Sequence, residues 1–423
     1  MSIARVCLAF PTIAVLCLML GCSDRERLNP IDPLNPRTGG KPVGLFVVSM
    51  RDTVKLSWQP LGLRDLSGYR IYRRAGFNTN FTVVDSVVGN QQSYREFGLT
   101  LGLRYLYRIT AYTPVSESSP SDTVSIVPGP GFVWVADADL DAVIKYTHDG
   151  SAELSRTRGF VEPERLQANA KTGQLWVIDT FTRELRRVEP TGSAAPVRIA
   201  LQNPIDLAVD STDNTIWVAD KGFGVYKYDA TGARIAQTSL PGVVAVAFNY
   251  RARELFALDS RQKKLWRINA SGLATEENVS LIAPQRIAIH RGTGDAWIAD
   301  STRVVIFRAG GQIETATGFN FVYAKRVAVN QNTGECWVID LVLSLPQSRV
   351  VKFSAAGVMQ FSIGGFLSPS SLSVNVFDGA CFVTDRHSQQ ISLSRVSASG
   401  QIINRASNFS RPLDVDVENR PLN

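Results

Sequence analysis

Trp134-Val135-Ala136-Asp137 is one copy of a phrase that decides the fold: an aromatic, a small or branched apolar residue, any residue, then aspartate. The phrase returns as Trp176-Val177-Ile178-Asp179, Trp217-Val218-Ala219-Asp220 and Phe256-Ala257-Leu258-Asp259. Three further copies are Trp297-Ile298-Ala299-Asp300, Trp337-Val338-Ile339-Asp340 and Phe382-Val383-Thr384-Asp385. By subtraction of positions, successive aspartates lie 42, 41, 39, 41, 40 and 45 residues apart. That period suits four short strands per unit, repeated radially as in propeller blades.

A turn and a short apolar strand precede most of these phrases. Examples are Pro204-Ile205-Asp206-Leu207-Ala208-Val209-Asp210, Pro284-Gln285-Arg286-Ile287-Ala288-Ile289, Lys325-Arg326-Val327-Ala328-Val329-Asn330 and Pro369-Ser370-Ser371-Leu372-Ser373-Val374. The first unit lacks this strand, because Trp134 follows closely on Val127-Pro128-Gly129-Pro130. The last unit has a surplus copy, Pro412-Leu413-Asp414-Val415-Asp416-Val417. The surplus strand is expected to insert beside Trp134 and close a ring. Closure removes the sheet edges that an open array leaves exposed. Seven phrases then predict a seven-bladed β-propeller over residues 129–423, with six blades as the alternative.

These units resemble NHL repeats. Tyr146-Thr147-His148-Asp149-Gly150 and Tyr228-Asp229-Ala230-Thr231-Gly232 fit the end of the third strand in that family. The resemblance implies a propeller, and a closed ring leaves its central hole and rims as the places for recognition. The Asn that commonly follows the Asp in NHL repeats is absent, and six blades are commoner there.

Residues 42–128 alternate apolar and polar at period two between turn signals. Val54-Lys55-Leu56-Ser57-Trp58, Gly68-Tyr69-Arg70-Ile71-Tyr72-Arg73-Arg74 and Tyr105-Leu106-Tyr107-Arg108-Ile109-Thr110-Ala111-Tyr112 read as strands of a sandwich. With Pro42-Val43-Gly44-Leu45 and Ser118-Ser119-Pro120-Ser121, the segment resembles a fibronectin type III domain. The resemblance implies that Trp58 packs the core and that Tyr105 is the tyrosine corner. The fold class expected for the chain is therefore all-β, a sandwich followed by a propeller.

Before the sandwich, Arg5 precedes an apolar run from Val6 to Gly21 that is interrupted by Pro11 and Thr12. This suits a signal peptide better than a spanning helix. The run ends Leu18-Met19-Leu20-Gly21-Cys22, which resembles the lipobox of bacterial lipoproteins. The resemblance implies that residues 1–21 are removed and that Cys22 is lipidated. Acyl chains contribute about 0.8 kcal/mol per buried methylene, which anchors a protein without a spanning helix. Residues 22–41, rich in Pro, Asn, Arg and Gly, read as a solvated tether.

The chain has 423 residues, 44% of them hydrophobic and 20% charged, with a formal net charge of +7. The densest basic stretch is Arg261-Gln262-Lys263-Lys264-Leu265-Trp266-Arg267, and acidic residues are scattered throughout. No nucleic-acid partner is expected from so dispersed a charge. Cys336 and Cys381 sit at equivalent places in neighbouring repeats and read as two buried free thiols.

Two rings of residues are candidates for function. Asp137, Asp179, Asp220, Asp259, Asp300, Asp340 and Asp385 end the second strand of each unit. A role in all seven units points to turn capping. Alignment of the innermost strands gives a second ring at one channel mouth: Arg165, Asp206, Ala245, Arg286, Arg326, Ser371 and Asp414. These differ from unit to unit, as a recognition site would. Arg165, Asp206, Arg286, Arg326 and Asp414 are the candidate ligand-binding residues. The three arginines suit a carboxylate, a phosphate or an acidic loop.

No catalytic residue, cofactor or metal site is assigned. His148, His290 and His387 fall at different places on the strand assignment and do not converge into a metal site. The expected protein is an extracytoplasmic lipoprotein of the cell envelope, at the outer membrane or cell surface. Its propeller recognises a protein or carbohydrate ligand. The alternatives are a propeller lyase or lactonase with a divalent metal in the channel, and a structural component of an envelope assembly.

Overall fold

A computed structural model describes residues 28–50, 52–76, 78–101, 103–126, 128–129, 131–342 and 348–419. The signal segment 1–21 and Cys22 lie outside the described residues. Among the described residues there is no helix, and so none long and apolar enough to cross a membrane.

The chain divides into two compact units. One comprises Met1–Val47, Lys55–Glu96 and Leu103–Ile126, and the other Val48–Val54, Phe97–Gly102 and Val127–Asn423. The described strands of the N-terminal region form two sheets. One pairs Phe46–Met50, Thr53–Ser57 and Ser93–Glu96, and the other Thr82–Val88, Gly68–Ala75, Tyr105–Tyr112 and Val124–Ile126. Period-two alternation buries one face of the central strands, as in Tyr105, Tyr107, Ile109 and Ala111. Trp58 meets Tyr69 edge-on, with ring centroids 5.2 Å apart.

Residues 29–41 fall within the expected tether. They form a run of hydrogen-bonded turns. The Asn29 carboxamide accepts from Ile31 N at 3.1 Å, the Asp32 carboxylate from Leu34 N at 2.9 Å, and the Asn35 carboxamide from Arg37 N at 2.8 Å. Order here comes from Asx side chains that replace backbone acceptors, so it does not need apolar burial.

Residues 133–417 make seven four-stranded antiparallel sheets. The second sheet runs from Pro163–Ala168 to Ala194–Ala200, the third from Pro204–Asp210 to Arg234–Thr238, and the fourth from Val243–Asn249 to Ala274–Glu277. The fifth runs from Pro284–Ile289 to Ile313–Thr315, the sixth from Ala324–Val329 to Met359–Phe366, and the seventh from Pro369–Val374 to Ile402–Ala406. The first is composite. Val133–Asp137, Ala142–Tyr146 and Glu153–Arg158 pair with the chain's last strand, Pro412–Val417. Val415 stands opposite Val135 and Val417 opposite Val133. Each inner strand touches the next, and Pro412–Val417 touches both Pro369–Val374 and Pro163–Ala168, so the inner strands form a closed circle.

Apolar clusters lie between successive sheets all the way round. Trp134, Phe160, Leu166, Val177 and Val188 fill the gap between the first and second, and Phe382, Leu393, Val135 and Val415 that between the seventh and first. Every second strand is covered on both faces, so Val133–Asp137 and its counterparts from Leu175–Asp179 to Cys381–Asp385 are almost wholly buried. A cation stands across the ladder from several of the repeat tryptophans: Lys145 from Trp134, Arg187 from Trp176, Lys227 from Trp217 and Lys352 from Trp337. Their charged groups lie 4.8, 5.9, 5.3 and 5.4 Å from the indole centroids, within cation–π range.

Candidate functional site

The repeat aspartates are buried and occupied by backbone. In each of six sheets the carboxylate accepts N–H bonds from the residues just before that sheet's inner strand. Asp179 accepts from Val161 N at 2.8 Å, Asp300 from Ala283 N at 2.7 Å, Asp340 from Val322 N at 2.8 Å and Asp385 from Leu367 N at 2.7 Å. Asp220 takes Gln202 N at 3.0 Å, and Asp137 takes Ser410 N at 2.8 Å across the chain closure. Asp259 is the exception. It accepts only from Arg261 N and Gln262 N, both 2.8 Å away, and its Oδ2 is buried without a partner. Of the two residues at the donating positions, Pro241 has no N–H, and among the described residues Gly242 N makes no bond to Asp259.

Each inner strand carries a β-bulge immediately before its second-ring residue. The register shifts between Pro163 and Arg165, Pro204 and Asp206, Val243 and Ala245, and Pro284 and Arg286. It shifts again between Ala324 and Arg326, Pro369 and Ser371, and Pro412 and Asp414. A bulge re-aims the side chains beside it. Arg165, Asp206, Arg286, Arg326, Ser371 and Asp414 thereby line one central cavity of about 700 Å³. Ala245 has the same register but does not line the cavity. Its methyl is buried in the apolar cluster between the fourth and fifth sheets.

Two residues further along each strand the same face returns. There the channel is lined by Ala208, Ala247, Ala288 and Ala328 on one side and by Gln167, Ser373 and Asp416 on the other. The alanines keep the passage open.

The aspartates of the ring are committed to stitching inner strands together. Asp206 accepts from Val246 N at 3.0 Å, and Asp414 from Leu166 N at 3.0 Å and from the Ser371 hydroxyl. The arginines are held by carbonyls. Arg165 Nη1 donates to Glu164 O at 2.7 Å, Arg286 Nη1 to Val244 O at 2.9 Å, and Arg326 Nε to Ser370 O at 3.2 Å. Arg165 also pairs with the Glu164 carboxylate at 3.3 Å. Among the described residues no ion pair joins any of these arginines to Asp206 or Asp414, and the Nε atoms of Arg165 and Arg286 are buried without partners. Arg286 and Arg326 sit on adjacent sheets, and Arg165 faces them from across the circle.

Burial lowers the pKa of Arg286 and Arg326, and repulsion among the guanidinium groups adds to it. Two neighbours outside the candidate set belong to the same electrostatic system. Burial, followed by the charges of Arg326, Arg386, Arg165 and Arg286, pushes Lys325 down to about 7. Burial, with Asp414 adding to it, pushes Asp416 up to about 7, against hydrogen bonds from Ala168 N at 2.8 Å and Ser373 Oγ at 3.0 Å. Lys325 occupies a bulge position, which the alignment skips. Asp416 was open to a period-two reading from Asp414.

The three histidines stay apart. His148 is buried, His290 bonds Thr293 Oγ1 at 2.9 Å and lies 3.2 Å from Gln331 O, and His387 accepts from Gln389 N at 3.3 Å. No group of three or more His, Cys, Asp or Glu placed to hold a metal occurs among the described residues. Cys336 and Cys381 are free and buried.

The chain matches no family model. A Kelch domain-containing protein of Saccharolobus solfataricus is 35% identical over 79 residues, which is 18% of this chain and only 10% of that relative's length. Solved structures match more broadly. A functionally unknown protein from Desulfotomaculum acetoxidans superposes over 69% of this chain and 100% of its own, with a TM-score of 0.56 and 15% identity. A putative 6-phosphogluconolactonase from Bacteroides fragilis covers 68% of this chain and 97% of its own, at TM-score 0.54 and 12% identity. A streptogramin B lyase covers 60% and 86%, at 0.51 and 14%. At such identities the likeness concerns the fold, and the class is that of the β-propellers.

Proposed function

We propose that this chain is a lipid-anchored, extracytoplasmic binding protein of the cell envelope whose propeller captures an anionic ligand at the arginine end of its channel. In this reading Cys22 carries the anchor and residues 42–128 form a fibronectin type III-like stalk. The seven sheets are the seven blades of an NHL-like ring. The ligand is a protein or carbohydrate that presents a carboxylate or phosphate.

One observation carries the binding reading. Arg165, Arg286 and Arg326 surround a single cavity without ion pairs to the ring aspartates, and two of their Nε donors lack partners. Buried cations left in this state attract an anion strongly, and guanidinium forks match carboxylate and phosphate geometry. Asp206 and Asp414 support the same face by fixing the backbone.

The test is calorimetric titration of the full chain with succinate and inorganic phosphate, using succinamide as the uncharged control. Binding of the anions alone, weakened about tenfold or more by Arg286→Ala or Arg326→Ala, is expected. No anion binding, or binding indifferent to the arginines, overturns the reading. A lyase or lactonase with a divalent metal in the channel is the rival. It requires a stoichiometric divalent metal in the purified chain, measured by elemental analysis.

A further inference from the structure

Each inner strand pairs on one side only, so the N–H groups along its other edge need acceptors elsewhere. On several sheets the preceding inner strand supplies them from its channel-facing side chains. Asp414 accepts from Leu166 N at 3.0 Å and Asp416 from Ala168 N at 2.8 Å. Asp206 accepts from Val246 N at 3.0 Å, Gln167 Oε1 from Val209 N at 2.9 Å and Ser373 Oγ from Val417 N at 3.1 Å. In every case the accepting side chain takes the N–H of the residue one position further along on the next sheet.

The fifth, sixth and seventh sheets have no such acceptors. The residues at the accepting places are Ala245 and Ala247, then Arg286 and Ala288, then Arg326 and Ala328. Neither alanine nor arginine carries an acceptor. The six N–H groups concerned belong to Ile287, Ile289, Val327, Val329, Leu372 and Val374. All six residues line the cavity, yet their side chains are buried in the apolar clusters between sheets. Their main chain is therefore what meets the channel, and the small methyls of Ala288 and Ala328 leave a ligand room to reach it. Further out the cavity is lined by Arg291, which is exposed, lies 3.9 Å from the Tyr250 ring centroid and has no ion pair among the described residues. From Arg286 and Arg326 out to Arg291 this wall is rich in donors.

We infer that the ligand is a linear acidic oligosaccharide. One terminal carboxylate sits on the arginine ring, and the following sugars lie along the free N–H groups of the fifth to seventh sheets toward Arg291. Carboxylates and sugar hydroxyls accept from that wall. Hydroxyls, which both donate and accept, also suit the mixed wall of Gln167, Ser373 and Asp416 opposite. A peptide brings an N–H with almost every carbonyl to a wall already full of donors. A polyphosphate brings no donors and meets the carboxylates of Asp206 and Asp414 in the ring. The inference rests on the anion reading above and adds the ligand's class.

The test is calorimetric titration of the full chain with galacturonate and its linear oligomers up to the hexamer, with carboxyl-reduced oligomers, hexaglutamate and tripolyphosphate for comparison. Affinity for the oligouronates is expected to rise about tenfold or more from the monomer to the longer chains, and the reduced oligomers should not bind. In the double variant Ala288→Asn, Ala328→Asn, each new carboxamide can take Val329 N or Val374 N as Asp416 takes Ala168 N. The gain with length should then vanish while succinate affinity, which also checks folding, stays unchanged. Hydrogen exchange of the unmodified chain gives a second readout that needs no variant: bound hexamer should slow the amides of Val327 and Val329 more than those of Ala168 and Val209.

Equal affinity at every length overturns the inference, as does a gain that survives in the folded double variant. Amides of Val327 and Val329 that the hexamer does not slow, or tighter binding of hexaglutamate or tripolyphosphate, overturn it too. Each of these results leaves the anion reading standing. Failure of the unmodified chain to bind succinate overturns both.

Discussion

The indole Nε1 of Trp134 donates a hydrogen bond to Glu418 Oε2 at 3.2 Å, although the two residues are 284 positions apart. Lys145 lies across the ladder from Trp134, and its ammonium is 3.8 Å from the same carboxylate. Both charges are buried, with side-chain exposures of 7% and 1%. The first tryptophan of the repeat and the last segment of the chain are thus locked at the point where the circle of sheets closes.

Glu418→Ala leaves the Lys145 charge and the Trp134 N–H without this acceptor inside the fold. Removing one member of a buried pair costs about 3 kcal/mol or more. A drop of several degrees in Tm is expected, with a smaller drop for Glu418→Gln, which keeps an acceptor for the indole. An unchanged Tm for Glu418→Ala argues that the last strand does not hold the circle shut.

The repeat aspartates are unequal. Asp300→Ala removes acceptors from Ile282 N, Ala283 N and Arg303 Nε, and should cost about 2–3 kcal/mol. Asp259→Ala removes only two turn bonds and an unpaired buried oxygen, and should cost about 1 kcal/mol. Urea midpoints of the two variants measure the difference, and equal losses would contradict it.

Asp416 makes stability depend on pH with a defined sign. Its folded pKa, about 7, lies above the ordinary carboxylate value of 3.8. Between these values the unfolded carboxyl ionises while the folded one stays protonated. Stability therefore falls as pH rises through that window, by up to about 1.4 kcal/mol per pH unit from this group. In Asp416→Asn that part of the fall should vanish. Urea midpoints across the window test this, and parallel pH profiles for the two chains would refute it.

Lys325 should make anion capture pH-dependent. Held near 7 by burial and by the surrounding arginines, its ammonium is charged mainly below that value. Each added charge beside the ring strengthens succinate binding, so affinity should rise about tenfold as pH falls from about 8.5 to about 6.5. Lys325→Met should flatten most of that rise when binding is followed by calorimetry. A profile as steep as that of the unmodified chain would show that Lys325 is not the responsible group.

The spacing of the repeated phrase, its missing first inner strand and its surplus last one are local facts of sequence, and the first sheet is built from them: Pro412–Val417 pairs with Val133–Asp137. The capping pattern was also legible, because an aspartate that ends every second strand answers a need repeated in every sheet. Part of its one failure, at Asp259, was legible as Pro241, which has no N–H to donate. The turns at Asn29, Asp32 and Asn35 were harder to see, because composition describes apolar burial and says little about side chains that imitate backbone acceptors.

The sequence by itself determined the repeat, the strand that closes it and the inner-strand positions that vary, since these follow from periodicity along the chain. Tertiary structure alone decided which of those positions look into the channel. The bulges aim Arg165 and Arg286 inward while Ala245 is absorbed by packing between sheets. It also shifted the pKa values of Lys325 and Asp416, because the burial that dominates both shifts arises only when the strands pack together.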